Sequence, residues 1–150
     1  MKKNVLTFAG IALMLITAFT FTACNDDVND VKIDKSKLLG YWDLQTIDLN
    51  GETITVEPTS EEFVRVFFGS ENEFKSWEVD EGGQLVLIST GNYAVKGNKI
   101  TVHETWTSEF DLDTYTITVK KLDANQLVVV GKKDNMTIQM TFASVYLDPK

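Results

Sequence analysis

The chain has 150 residues, 43% apolar and 24% charged, the proportions of a single globular domain. Its formal charge of −8 disfavours nucleic acid and anionic headgroups as partners. A single cysteine and a single histidine exclude an intrachain disulfide, a thiolate metal cluster and a two-histidine metal site.

Residues 1–23 have the three zones of a secretory signal. Met1–Asn4 carries Lys2 and Lys3, Val5–Phe21 is apolar, and small residues Thr22 and Ala23 precede Cys24. The apolar run is near the lower edge of the roughly 17–25 residues that span a bilayer, so an uncleaved helical anchor is the competing reading. The lone cysteine separates the two. Phe21-Thr22-Ala23-Cys24 resembles the lipobox of bacterial lipoproteins. That resemblance implies cleavage before Cys24, a diacylglycerol on its sulfur, and attachment to the outer membrane through more than one acyl chain. Asn25-Asp26-Asp27 resembles the acidic export signal of Bacteroidetes lipoproteins, which implies display at the cell surface through Asp26 and Asp27. The plainer reading of these two residues is a solvated tether. Asp26, Asp27, Asp30 and Asp34 lack the central glycine and closing glutamate of a calcium loop, so no metal is expected there.

Residues 24–37 read as an acidic linker, with a helical turn near Asp34–Leu38. From Leu38 to the C-terminus the apolar period is two. Ile100–Trp106, Tyr115–Val119 and Met136–Phe142 each put apolar side chains on one face and threonines on the other. That pattern marks an antiparallel sheet buried on one side. Turn signals at Asn50-Gly51, Glu81-Gly82-Gly83, Gly97-Asn98, Asp123-Ala124-Asn125 and Asp134-Asn135 separate the runs. The expected strands are 39–49, 52–57, 62–68, 73–80, 84–95, 99–107, 113–122, 126–132 and 136–146, with a bend at Gly91 and a short turn at Thr59–Glu62. Short strands in series leave exposed edges, and closure removes them. An all-β, up-and-down antiparallel barrel of about eight strands over residues 38–150 is therefore expected, with a two-sheet sandwich as the alternative.

Gly40-Tyr41-Trp42, at the start of the first strand, resembles the Gly-x-Trp signature of lipocalins. Gly91–Ile100 is similar to the mid-domain hairpin of small lipocalin-like lipoproteins of Bacteroidetes. The resemblance implies a lipocalin-like barrel whose floor is closed by Trp42.

Little in the chain suggests catalysis. His103 shares the polar face of its strand with Thr101 and Thr105, and no nucleophile elbow or phosphate-cradling glycine loop occurs. No enzyme activity and no cofactor are expected. Glu104 is the exception to the pattern, because alternation puts it with Ile100, Val102 and Trp106. A carboxylate there needs a partner, a wet space, or a place at the rim, and the rim is the expected place. Trp42, Tyr93, Trp106, Tyr115 and Phe142 complete the candidate ligand-contacting set, although plain core is the simpler reading of these aromatics. Two functions remain. A noncatalytic barrel binding a small, partly apolar ligand requires an open interior. An accessory subunit that binds a protein partner requires a filled interior and an apolar patch outside.

Overall fold

A computed structural model describes residues 31–107, 112–133 and 135–146. Cys24, Asp26 and Asp27 lie outside the described residues. A single helical turn, α1 (Lys35–Leu38), precedes nine strands. These are β1 (Gly40–Leu49), β2 (Glu52–Thr55), β3 (Val64–Phe68), β4 (Glu73–Val79), β5 (Leu85–Lys96), β6 (Lys99–Trp106), β7 (Leu112–Leu122), β8 (Gln126–Lys133) and β9 (Met136–Val145). Every strand limit lies within two residues of its expected position. Asp34 caps α1, its Oδ1 accepting from the Ser36 backbone N–H at 3.0 Å and the Ser36 hydroxyl at 2.7 Å.

All pairings are antiparallel, and β1 pairs with β9 to close the sheet. The closed wall is β1 and β3–β9, an up-and-down barrel of eight strands, and the sandwich alternative is excluded. β2 is an extension of that wall. The upper half of β1, Thr46–Leu49, pairs with β2, and its lower half, Gly40–Asp43, pairs with β3. β2 and β3 are thus one strand line broken by residues 56–63, which return Val56 and Phe63 to the core. Hydrogen bonds from Ser60 N to Glu57 O and from Phe63 N to Ser60 O make this excursion a pair of tight turns.

The two faces follow the threonine pattern. Leu44 and Ile47 both point inward because Gln45 is an extra residue where β1 meets β9. Outside, Thr101 bonds Thr116 at 2.9 Å and His103 bonds Thr114 at 2.8 Å across β6 and β7. The turn between β1 and β2 has φ of 50° at Asn50 and 92° at Gly51, the left-handed pair that a two-residue hairpin requires. The irregularity expected at Gly91 instead falls at Ile88, where β5 carries one residue more than β4. Gly91 serves close approach: a Cβ there would lie 1.9 Å from the His103 carbonyl oxygen.

Alternating strand direction gives the barrel two ends. The turns at 69–72, 97–98 and 123–125 lie at the end where β1 begins, here called the floor. The turns at 50–51 and 80–84 lie at the mouth, as do the end of β8 and the start of β9. The segment ahead of β1 packs across the floor. Ile33 and Leu38 are in the core, and Ile33 N donates to Gly97 O. The packed domain therefore begins ahead of Leu38, inside the stretch read as linker. Among the described residues no helix is long and apolar enough to cross a membrane.

Candidate ligand site

The candidate aromatics separate by height. Trp42 and Tyr93 belong to the floor. Trp42 is buried and its Nε1–H donates to the Leu38 carbonyl at 2.7 Å. The Tyr93 hydroxyl donates to the Gly69 carbonyl at 2.8 Å, and its ring meets Phe68 edge-on at 5.0 Å between centroids. Each has its polar handle tied to backbone, so both are structural. Tyr115 and Phe142 line a central void of about 30 Å³, otherwise walled by aliphatic side chains, Phe68 and Phe74. A space of that size holds roughly two waters. Above it lies a second void of about 10 Å³, lined by Ser76, Glu104, Trp106 and Tyr115 among others. Val66, Phe74 and Tyr115 line both voids and form the partition between them. The interior is nearly filled, not an open cup.

Glu104 lines the upper void. It is 1% exposed, so it sits inside the barrel and not at the rim. Strand β6 continues inward through Trp106, and β5 and β7 cover Glu104 from both sides through Gly91 and Asp113. Its Oε2 accepts from the Ser89 hydroxyl at 2.6 Å, and Ser89 lies 2.5 Å from the Ser76 hydroxyl. Ser89 has one proton and gives it to Glu104, so Ser76 donates to Ser89. Both protons of this relay, across three strands, run toward the carboxylate. The Trp106 Nε1–H donates to Asp113 Oδ2 at 3.0 Å. Glu104 Oε1 is buried and has no hydrogen-bond partner. Burial raises the Glu104 carboxyl to about 7, against the pull of Ser89 and with a smaller push from Asp113. Burial first, then Glu104 and Asp113, holds the Tyr115 phenol well above its ordinary range and therefore neutral.

A second acid was missed in the sequence. Glu78 on β4 pairs with Val64 and Val86, and since Val64 faces inward, so does Glu78. Its Oε1 is also buried without a partner, and burial raises its carboxyl to about 7. The signal was present: Phe74, Ser76 and Glu78 alternate as Val102, Glu104 and Trp106 do. The serines Ser76 and Ser89 were missed because small hydroxyls on an apolar face carry no sequence signal of their own. His103 is exposed, as its polar face requires. No group of three or more potential metal ligands occurs among the described residues.

The model of the lipocalin-like domain family matches residues 38–129, and the chain belongs to that family. Among solved structures, bovine odorant binding protein complexed with its natural ligand is similar at 13% identity, over 80% of this chain and 79% of that chain, with a TM-score of 0.41. A likeness that remote carries no argument about the site. No curated protein matches the sequence.

Proposed function

We infer that the protein is a lipid-anchored, noncatalytic barrel that binds a small, partly apolar ligand between its filled floor and its mouth. The carrying observation is Glu104 Oε1, a fully buried acceptor left without a donor beside a void in an otherwise apolar interior. Packing alone gives no reason to keep such a group, since burying an unsatisfied polar atom costs about 1–3 kcal/mol. The voids admit water-sized occupants as they stand. A larger guest must swing Phe74, on the partition, or Met140, whose flexible side chain lines the central void. The ligand is accordingly small, on the scale of a four-carbon chain. The test is an NMR titration of the full-length protein with n-butanol. Saturable shifts of the Val102 and Met140 methyls are expected, and their absence at saturating alcohol would refute the reading.

Attachment and address rest on the sequence. Cys24 carries the lipid, and Asp26 and Asp27 direct the protein through the outer membrane to the cell surface. Cys24→Ser is expected to abolish fatty-acid labelling and leave uncleaved precursor. Replacing Asp26 and Asp27 with alanine is expected to shield the protein from protease added to intact cells. Retained labelling or unchanged cleavage would contradict the respective assignment.

A protein partner is the second reading, favoured by the outside of the barrel. Tyr41 lies 4.8 Å from Phe67 and 5.8 Å from Trp77 between ring centroids, on strands β1, β3 and β4. Trp77 pairs with Leu87, which is exposed at the mouth end of β5. Failure of the butanol titration would transfer the assignment to this face.

A further inference from the structure

The two voids and the acids around them carry an inference about which ligand fits, and it rests on the reading that the interior binds one. We propose that the ligand's head is a primary ammonium seated against Glu104 Oε1, with a short apolar body displacing the partition into the central void. The argument is an inventory of donors. Ser89 has spent its proton on Oε2, Ser76 has spent its own on Ser89, and the Trp106 N–H is held by Asp113. Oε1 itself is buried and accepts from none of these groups. The relay also runs its protons toward Glu104, the direction that suits an ionised carboxylate. What is missing is therefore a donor, and the charge of the site says which kind.

Glu78 from β4 and Asp113 from β7 accompany Glu104 on the inward side of the upper barrel, together with the Tyr115 phenol. Among the described residues no lysine or arginine lines either void. Arg65 points outward and is bound to Asp43, with Nε to Oδ1 at 2.6 Å and Nη2 to Oδ2 at 2.8 Å. Lys35 is at the floor, bonded to Asn72. A cation at Oε1 thus gains a charge-assisted hydrogen bond and offsets the repulsion between Glu104 and Asp113. A carboxylate guest meets like charge. An alcohol or water satisfies Oε1 but leaves the charge of the site unbalanced. Below the head, Val66, Phe74 and Tyr115 separate the acid from the apolar void, so a guest reaching both must be amphiphilic with its charge at one end.

The experiment compares n-butylammonium, n-butanol and butyrate on the full-length protein at pH 8 and pH 5.5, by the same methyl shifts. The ammonium is expected to bind about tenfold or more tighter than the alcohol at pH 8, a factor within reach of one charge-assisted hydrogen bond. That advantage is expected to shrink several-fold at pH 5.5, where Glu104 holds a proton, and butyrate is expected not to bind. Glu104→Gln should erase the preference for the ammonium over butanol. If butanol binds and the ammonium gains nothing over it, the amine assignment is overturned while the ligand reading stands. If none of the three binds, the ligand reading itself falls and Oε1 is hydrated by an ordered water only. Should the glutamine variant fail to fold, the ammonium-to-butanol ratio of the unaltered protein at the two pH values decides the matter alone.

Discussion

The floor and the mouth of this barrel are built on opposite terms. At the floor the buried Trp42 and Tyr93 have partners for their polar atoms, on Leu38 and Gly69, and the exposed Asp34 caps the turn that delivers Leu38. Among the described residues the buried side-chain atoms without partners are Ser60 Oγ, Glu78 Oε1 and Glu104 Oε1, and the two carboxyls belong to the mouth half. There too β2 and β3 are interrupted, and β5 extends beyond its pairing with β6 to expose three apolar residues. A fold has no need to treat its two ends so differently for stability. The floor holds the barrel closed, and the mouth keeps unsatisfied groups, which in the function proposed above a guest satisfies.

The contrast can be broken most severely from the floor. Trp42→Ala removes a buried ring and the donor to Leu38, and is expected to lower unfolding stability by about 3–5 kcal/mol in a denaturant titration. A loss under about 1 kcal/mol would mean that the floor is not the stabilising end.

The mouth is expected to show its character through pH. Free carboxyls titrate near 4.5 and the Glu104 carboxyl near 7, so between those values the folded state retains a proton that the unfolded chain has released. Stability from this group is full below pH 4.5, falls as pH rises through 7, and is flat above. A shift of this size corresponds to about 3 kcal/mol. Stability, apart from other groups, should therefore rise when the pH is lowered from 8 to 5.5, and Glu104→Gln and Glu78→Gln should each remove part of that slope. A slope of opposite sign that persists in both variants would contradict the buried-acid account.

Smaller effects sharpen the boundary. Ser89→Ala takes away the donor to Oε2 and is expected to cost about 1–3 kcal/mol at pH 8 and less at pH 5.5, where the carboxyl is neutral. Leu87→Ser lies beyond the closed wall and should change stability by under about 0.5 kcal/mol. A larger loss would place the exposed end of β5 inside the cooperative core.

Much of this architecture was legible in the residues, and the gaps have physical causes. Threonine alternation in β6, β7 and β9 located the strands and their inward faces, because a period of two leaves no other face to bury. Gly40-Tyr41-Trp42 located the floor. Glu104 was recognised as inward and then assigned to the rim. Alternation fixes the face a side chain takes, whereas its depth depends on how far the neighbouring strands extend. Here β5 and β7 run past Glu104, which nothing within β6 reveals. The two strands and the turn between them were expected, but their sharing of one line along β1 was missed for a related reason. Phe63–Phe68 reads as one apolar run, and only the pairing of β1 with both strands shows that the line is interrupted. Trp42 and Tyr93 were grouped with Tyr115 and Phe142 as ligand contacts because all face inward. The floor turns that bind their polar atoms are distant in sequence, at Gly69 for Tyr93.

The most direct test of the account is a carbon-13 titration of the Glu104 side-chain carboxyl in the full-length protein. A buried acid with one oxygen unpartnered should titrate near 7 in the free protein, and its midpoint should fall when n-butylammonium is added. A midpoint near 4.5 without ligand, unmoved by the amine, would show a solvated carboxylate and contradict the claim that the mouth end holds a binding site.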